Sequence, residues 1–423
     1  MKKTLFVLIG FWSACVVYYA YTRFLSTSMG ALSVPLSQQG FSEMTLSIAV
    51  SAYSLALLIM KFPVSFLIER FGILRPVQCA VPIVLTGVLF MSWPMHPTLL
   101  IIGRFIIGIG ASFALIVTYK ATSHLVSVAS FTLWTGVIYF IGTGGMALSG
   151  GPLAGLLSIM HYHMTMLLIV VAGLLIWSGI LLTSRSRFVQ TTMKQQTNST
   201  HAYLKGVKYL FQDKQSLLAI IYTAMMTAAF FTVISFWGSE FLRQAKHLSP
   251  HQSSFIANSI LAFGSGAFSL LVGIIIYLGW IRRWQLILMS FLSTLALIAL
   301  FLTPIKNLWI LYSLAIVISF GFALTGIVFD TINKRCYPIL ATAIALLFFI
   351  ENILNTLLSP LISAFRHSIE SLTNDSLLSY QLAFSLIIVL YGIATVISCF
   401  IHPQRHQLPI DAILGTDQGP ADK

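Results

Sequence analysis

Twelve long apolar segments, six on each side of a polar central interval, constrain this chain more than any other feature. Each segment approaches the ~20 residues that an α-helix needs to cross the hydrocarbon core of a bilayer. Membrane-spanning β-strands are shorter and alternate in hydrophobicity, which these segments do not. Because a helix satisfies its own backbone hydrogen bonds inside lipid, the pattern predicts an all-α membrane protein.

The segments predict twelve transmembrane helices in two six-helix bundles with pseudo-twofold symmetry. The predicted helices α1–α12 are 5–33, 46–67, 76–94, 97–120, 131–158, 164–184, 216–242, 252–278, 284–303, 307–329, 337–364 and 379–401. The predicted domains are an N-terminal bundle (1–184), a cytoplasmic linker (185–215), a C-terminal bundle (216–401) and a cytoplasmic tail (402–423). An internal repeat supports two equivalent halves, since Ser42 and Ser249 precede a basic residue, Arg75 or Arg282, at the same separation.

Composition excludes an ordinary soluble domain, because 57% of the chain is hydrophobic and only 8% is charged, against roughly 25% in soluble domains. The net charge of +13 comes from Lys and Arg in loops on the side of the N-terminus. This distribution predicts both termini in the cytoplasm, as in a bacterial inner membrane, and no nucleic-acid partner. The first 20 residues imitate a signal peptide but lack a clear cleavage site, so we interpret them as an uncleaved α1.

Neither a cofactor nor a metal is expected. The four cysteines are scattered without a C-x-x-C pair, and no phosphate-binding G-x-x-x-x-G-K-[ST] motif is present. A membrane-embedded enzyme is the alternative class, but His161 and His163 lack carboxylate neighbours in the sequence. The bilayer is the partner that composition implies, and the partners expected of a carrier are a small solute and protons, with the protein acting as a monomer.

Three motifs, in order along the first half, resemble those of the major facilitator superfamily of secondary transporters. SFLIERFG with Arg75 resembles its loop between α2 and α3, RFIIGIG fits its R-x-x-x-G-x-G pattern in α4, and GPLAG fits its G-P-x-x-G pattern in α5. The resemblance implies the major facilitator fold and alternating access. It also implies a conformational switch at Glu69, Arg70 and Arg75, for which simple cytoplasmic anchoring is the alternative.

The same motifs imply sites of close helix packing, where small or kinked residues let helices approach. These are Gly108, Gly151, Pro152 and Gly155. Within the superfamily, QGFS, Lys61-Phe62 and Glu69-Arg70 are similar to organophosphate:phosphate antiporters. The chain departs from that branch in α5 and lacks a mid-membrane arginine in α7, so the likeness favours an organic anion over a phosphate ester.

Charged groups at membrane depth are costly and usually face a cavity. Arg23 lies on one face of α1 with Tyr19, Thr27 and Gly30, which predicts a guanidinium that binds an anionic substrate group. A cation snorkelling toward the interface is the alternative. Substrate contacts are also predicted at Tyr19, Thr27, Asn355 and Trp237.

Glu351 lies near the middle of α11, on one face with Asn355 and Ser359. Because burial disfavours the charged form of a carboxyl group, Glu351 is a candidate proton carrier, or else a structural partner of Arg23 or Lys61. The resemblance suggests a second proton-coupling residue in Arg104, for which a fixed ion pair is the alternative.

The predicted function is secondary active, proton-coupled transport of a small organic solute, with an anion favoured. A multidrug:proton antiporter and a transport-inactive sensor of the same fold are the alternatives.

Overall fold

The computed structural model describes residues 2–126, 128–186, 189–190, 210–211, 213–278, 280, 283–323, 325–336 and 340–402. All twelve predicted helices are present within these ranges. Most of the predicted linker 185–215 and nearly all of the tail 402–423 lie outside the described residues.

Most of the predicted helices differ from the observed ones only by a few residues at their ends. The uninterrupted helices are α2 (Glu43–Phe71), α3 (Leu74–Ser92), α4 (Pro97–Ser123), α6 (Tyr162–Ser184), α9 (Arg283–Leu302), α11 (Leu340–Thr373) and α12 (Ser376–Ser398). Eleven helices in the described part of the chain are long and apolar enough to cross a membrane.

Four helices are interrupted within the described residues, which their hydrophobic patterns do not indicate. α1 consists of Lys2–Thr27 and Met29–Gln38, and α5 of Val128–Leu148 and Gly151–Ile159. α10 is described as Leu308–Ala323 and Thr325–Cys336. α7 (Lys214–Thr232, Gly238–Gln244) and α8 (Pro250–Ser254, Leu261–Tyr277) each contain a wider π-helical turn, Val233–Trp237 and Phe255–Ile260 respectively. Such turns are rare and frequently occur at functional sites.

The two residues of the internal repeat occupy equivalent places. The Ser42 side chain accepts a hydrogen bond from the Thr45 backbone amide at the start of α2. The Ser249 side chain does the same for Gln252 at the start of α8, where the Gln252 side chain completes a capping box. These caps satisfy amides that the helix itself leaves unpaired, so the repeat has a structural basis in both halves.

Glycines bring the helices of the first half into close contact. A Cβ atom on Gly108 would lie 2.6 Å from the Tyr53 carbonyl oxygen and 2.7 Å from the Ala56 Cβ atom. One on Gly110 would lie 2.6 Å from the Ala80 carbonyl oxygen. α4 therefore packs backbone to backbone against α2 and α3, which fixes the position of the polar residues that α4 carries.

The halves meet mainly where α2 packs along α11 and α5 along α8. We call the end of the molecule opposite to the N-terminus the distal end. It carries the turns at Gly40, His96, His161, His247 and Asn374. Hydrogen bonds between described residues of the two halves join them at this end. They link Glu43 with Ser363, Arg366 and Tyr380, Ser47 with Ser359, Thr27 and Ser149 with Asn258, and Ala147 and Gly151 with Ser259.

Gly108→Ala should lower the stability of the protein by about 1–3 kcal/mol, because the added methyl group overlaps the α2 backbone. The matched control is Gly392→Ala in α12, where a Cβ would meet nothing within 4 Å. Thermal unfolding in detergent measures both variants. An equal melting temperature for Gly108→Ala and the control would contradict the packing argument.

Candidate functional site

Arg23 and Glu351 line the same cavity at the interface between the halves. Arg23 lies on the last turns of the first α1 segment, and Glu351 lies in the middle of α11. The remaining polar wall is formed by Ser26, Thr27, Tyr53, Ser54, Thr232, Ser235, Asn352, Asn355 and Ser359. Each half thus contributes one ionisable group to a site that neither half forms alone.

The two cations of the first half rest on aromatic rings of the second half. The Arg23 guanidinium carbon lies 4.7 Å from the centre of the Phe231 ring in α7. The Lys61 ammonium nitrogen lies 4.4 Å from the centre of the Phe348 ring, one turn before Glu351 in α11. Ring faces attract cations without neutralising them, so the Phe231 ring leaves the positive charge of Arg23 in place.

Glu351 is 6% exposed, and its Oε2 atom has no hydrogen-bond partner within the described residues. The carboxyl group interacts electrostatically with Lys61 and Arg23 and lies beside the Thr227 hydroxyl. The Nε atom of Arg23 is likewise without a partner in the described part of the chain. Unsatisfied donors and acceptors of this kind are expensive when buried, and a guest molecule or a proton would relieve them.

The cavity has a volume of about 50 Å³. That volume holds a few waters, whereas organic ligands occupy pockets of roughly 300–1,000 Å³. An organic solute can enter only if the halves move apart.

The distal end is closed by an ion pair between the halves. The Arg366 Nε atom of α11 donates to Glu43 Oε1 of α2 at 2.8 Å, and its Nη1 atom donates to Glu370 at 2.8 Å. The Tyr380 hydroxyl of α12 donates to the other Glu43 oxygen at 3.0 Å. Because Glu43 accepts bonds from two helices of the second half, separation of the distal ends has to break them.

Arg104 is completely buried and bonds to backbone atoms. Its Nη1 atom donates to the Leu25 carbonyl at 2.6 Å, and its Nη2 atom donates to the Ser26 carbonyl at 3.1 Å. Both carbonyls immediately precede the break in α1. The guanidinium therefore holds the end of the α1 segment that carries Arg23, and it lies over the Tyr53 ring at 5.0 Å.

The structure separates the other predicted substrate contacts. Thr27 and Asn355 line the cavity, and the Thr232 hydroxyl donates to Asn355 at 3.4 Å. Tyr19 is buried against Gly142 of α5, beside Arg23 but outside the cavity wall. Trp237 is completely buried, is not part of the wall, and donates its indole N–H to Ser359 at 2.9 Å.

The residues predicted for a conformational switch lie at the end opposite to the ion pair. Arg70 and Arg75 are exposed, and the Arg70 guanidinium lies 5.4 Å from the centre of the neighbouring Phe71 ring. The side chain of Glu69 lies outside what the structure describes. Gly151 and Gly155 face Phe255 and His251 of α8, while Pro152 lines an apolar groove.

Sequence reasoning missed four residues of the interface: Glu43, Tyr53, Phe231 and Asn258. Asn258 carried a usable signal, since an isolated amide in the middle of an apolar helix has to find a partner. In the sequence alone, Glu43 and Arg366 resemble ordinary charged residues near the ends of membrane-spanning helices. Only the contact between helices far apart in the chain reveals their pairing.

A larger apolar groove of about 1,160 Å³ lies between α1, α5, α6, α8 and α10. Its few polar groups are occupied, since the Tyr21 hydroxyl donates to the Ile169 carbonyl and the Ser259 hydroxyl donates to the Ala147 carbonyl. The groove therefore offers no free group to orient a polar solute. Among the described residues, no three His, Cys, Asp or Glu side chains are grouped closely enough to hold a metal ion.

The fold is similar to that of several solved transporters. A bacterial homologue of the human lysosomal transporter Spinster, solved in an inward-facing, occupied conformation, shares a TM-score of 0.71 at 14% identity, covering 92% of this chain and 95% of that one. A transporter of the POT family in complex with 5-aminolevulinic acid gives a TM-score of 0.73 at 12% identity, with 94% and 96% covered. A D-xylose–proton symporter gives 0.71 at 13% identity, with 96% and 99% covered.

No curated protein sequence matches the chain. The sequence profile of the Major Facilitator Superfamily, in contrast, matches residues 7–359, which include nearly all of the first half, the second half as far as the middle of α11, and the whole cavity wall. With its twelve helices in two bundles, the chain belongs to the Major Facilitator Superfamily of membrane transporters.

Proposed function

We propose that the protein is a proton-coupled secondary transporter that moves a small organic anion by alternating access. The observation that carries this proposal is the shared cavity of Arg23 and Glu351, one from each half. Relative motion of the halves changes the distance between these two groups. A site divided in this way can therefore be exposed first on one side and then on the other.

Arg23 is the proposed anion site. Its guanidinium is fixed by the Phe231 ring, and its Nε atom still has a donor to offer. A planar guanidinium binds a carboxylate through two parallel hydrogen bonds, and such charge-assisted bonds are about twice as strong as neutral ones. Lys61 interacts electrostatically with Glu351 but does not line the cavity, so Arg23 is the cation that we propose binds the anion.

Glu351 is the proposed proton carrier. Burial disfavours its ionised form, whereas the positive charges of Lys61 and Arg23 favour it. An anion bound to Arg23 neutralises part of that stabilising charge, so Glu351 then takes up a proton. By linkage, protonated Glu351 leaves Arg23 freer to bind the anion, and the two binding events favour each other. This reciprocity is what couples an anion to a proton in a symporter.

The two bundles 1–184 and 216–401, joined by 185–215, are the proposed moving units. The excess of Lys and Arg at the N-terminal side supports a cytoplasmic location for both termini in a bacterial inner membrane. The distal end then faces outside, and the Glu43–Arg366 pair closes it. One monomer contains the complete site.

Multidrug:proton antiport is the second candidate, and the apolar groove of about 1,160 Å³ favours it. A cationic drug would compete with the proton at Glu351 and displace it. An anion that binds at Arg23, in contrast, causes Glu351 to take up a proton. The sign of proton exchange on ligand binding therefore separates the candidates, whereas the fold does not, since similar structures include a symporter of a neutral sugar.

Glu351→Gln should abolish accumulation of the anion driven by a proton gradient, because an amide cannot carry a proton, while exchange across the membrane continues. Proteoliposome uptake and counterflow measure the two activities. Asp375→Asn is the control, since it removes an exposed carboxylate at the distal end while an amide can still cap α12. Normal accumulation in Glu351→Gln would rule out the proton-carrier role.

Arg23→Ala should raise the apparent KM at least about tenfold, since one charge-assisted hydrogen bond to an anion contributes roughly 1.5–3 kcal/mol. Arg23→Lys should restore part of the affinity by returning the charge without the planar fork. A thermal-shift screen of anions, amino acids and cationic drugs identifies the substrate, and uptake kinetics follow. The control, Lys306→Ala, removes an exposed distal charge, and anion uptake by Arg23→Ala equal to that of this control would refute the anion site.

Arg104→Lys should lower stability by about 1.5–3 kcal/mol, because an ammonium cannot span the Leu25 and Ser26 carbonyls as the guanidinium does. It should also slow transport, since the α1 segment that carries Arg23 loses its support. Thermal unfolding and initial uptake rates measure the two effects. Wild-type stability combined with an altered proton-to-anion ratio would instead favour a direct proton-coupling role for Arg104.

A further inference from the structure

The break in α1 leaves a backbone carbonyl for the opposite half to bind. The Ala31 amide bonds to the Ser28 carbonyl, one residue short of an α-helical partner, so it does not take the Thr27 carbonyl. The Thr27 carbonyl instead accepts a hydrogen bond from the Asn258 side chain of α8 at 3.0 Å. A carbonyl at an interrupted helix needs such a partner when it is buried.

Asn258 forms a small network that includes three helices. Its Nδ2 atom also donates to the Ser149 hydroxyl of α5 at 3.1 Å, and that hydroxyl lies 2.7 Å from the Thr27 hydroxyl. All three side chains are buried. Thr27 and Ser149 belong to the first half and Asn258 to the second, so the network exists only while the distal ends are in contact.

Around this network the backbones of the two halves are in close contact. A Cβ on Gly30 would lie 2.8 Å from the Ser239 Oγ atom, and one on Gly150 would lie 2.6 Å from the Ser254 carbonyl oxygen. Asn258 itself lies in the π-helical turn of α8, and the π-helical turn of α7 contacts the second α1 segment. Both unusual turns thus lie at the break in α1.

Arg104 and Asn258 hold consecutive carbonyls of the same break from different halves. Arg104 binds Leu25 and Ser26 from within the first half, so that contact persists during relative motion of the halves. Asn258 binds Thr27 from the second half. Arg23 lies one helical turn before Thr27, and the Ser26 and Thr27 hydroxyls both donate to the Arg23 carbonyl.

We propose that Asn258 is a positioning residue through which the second half holds the break in α1 and thereby keeps the distal end closed. Opening the distal end removes the amide from the Thr27 carbonyl and releases the segment that follows Arg23. We call the contacts that close the distal end the distal seal. Whether this seal is closed or open is thus linked to the position of Arg23. The inference rests on the proposed alternating-access transport for its purpose, but its test requires no substrate.

The test measures closure of the distal end directly with a cysteine at Ser239. This side chain is 3% exposed, packs against Gly30, and has no hydrogen-bond partner within the described residues. The four native cysteines are replaced first. The rate at which a bulky maleimide modifies the Ser239→Cys protein in detergent then reports how often the distal ends separate.

Asn258→Leu keeps the side-chain volume but removes the amide and its two hydrogen bonds to the first half. It should raise the labelling rate at least about three- to tenfold, since that is the population change expected for loss of one buried hydrogen bond. Asn258→Asp, which keeps the shape but removes the N–H donors, should also raise the labelling rate. If Asn258→Leu does not fold, the labelling rate of Asn258→Asp alone tests the proposal. Ser265→Ala is the matched control. Its hydroxyl is buried in the same helix but donates only to the Ala262 carbonyl of that helix.

A labelling rate equal to that of the parent in the folded Asn258 variants would overturn the proposal. An equal increase in Ser265→Ala would also overturn it, because α8 would then have loosened in general. Failure of the transport proposal leaves this result intact, since no solute is present. Conversely, unchanged labelling together with normal anion uptake would show that Asn258 does not hold the distal end closed, while the roles proposed for Arg23 and Glu351 would stand.

Discussion

A charged side chain in the middle of a membrane-spanning bundle has to be solvated by the protein, because lipid supplies no hydrogen bonds. Arg104 meets this constraint with two backbone carbonyls and an aromatic ring. Arg23 and Glu351 instead line the cavity between the halves, and each of them, like Arg104 at its Nε atom, keeps a buried polar atom without a partner in the described chain. Place in the fold therefore separates the charge of Arg104 from the two charges that we propose bind a substrate and a proton.

The same constraint connects the binding site to the distal seal. The α1 segment that carries Arg23 ends in carbonyls that need donors, and those donors come from α4 and from α8. Glu43 and Arg366 neutralise each other across the interface between the halves. In the proposed transport cycle, movement of the halves would break these contacts together, so the seal and the binding site would change state as a unit.

The twelve helices could be predicted from the sequence because length and apolar content determine them. The interruptions at Ser28 and Gly150 could not be predicted, since they depend on carbonyls and glycines that face the other half. Arg23 and Glu351 could be selected because ionisable groups at membrane depth are few, but their common cavity required the structure. Trp237 shows the limit of residue type alone. It has the chemistry of a substrate contact, yet it is buried behind the cavity and bonds to Ser359.

Proton exchange on ligand binding tests the central claim most directly. Purified protein in weakly buffered detergent is mixed with a small organic anion selected by thermal shift, and a pH-sensitive dye records the change. Because an anion at Arg23 neutralises a charge that favours the ionised form of Glu351, the account predicts proton uptake by the parent protein and none by Glu351→Gln. Anion binding without proton uptake, or with proton release, would contradict it.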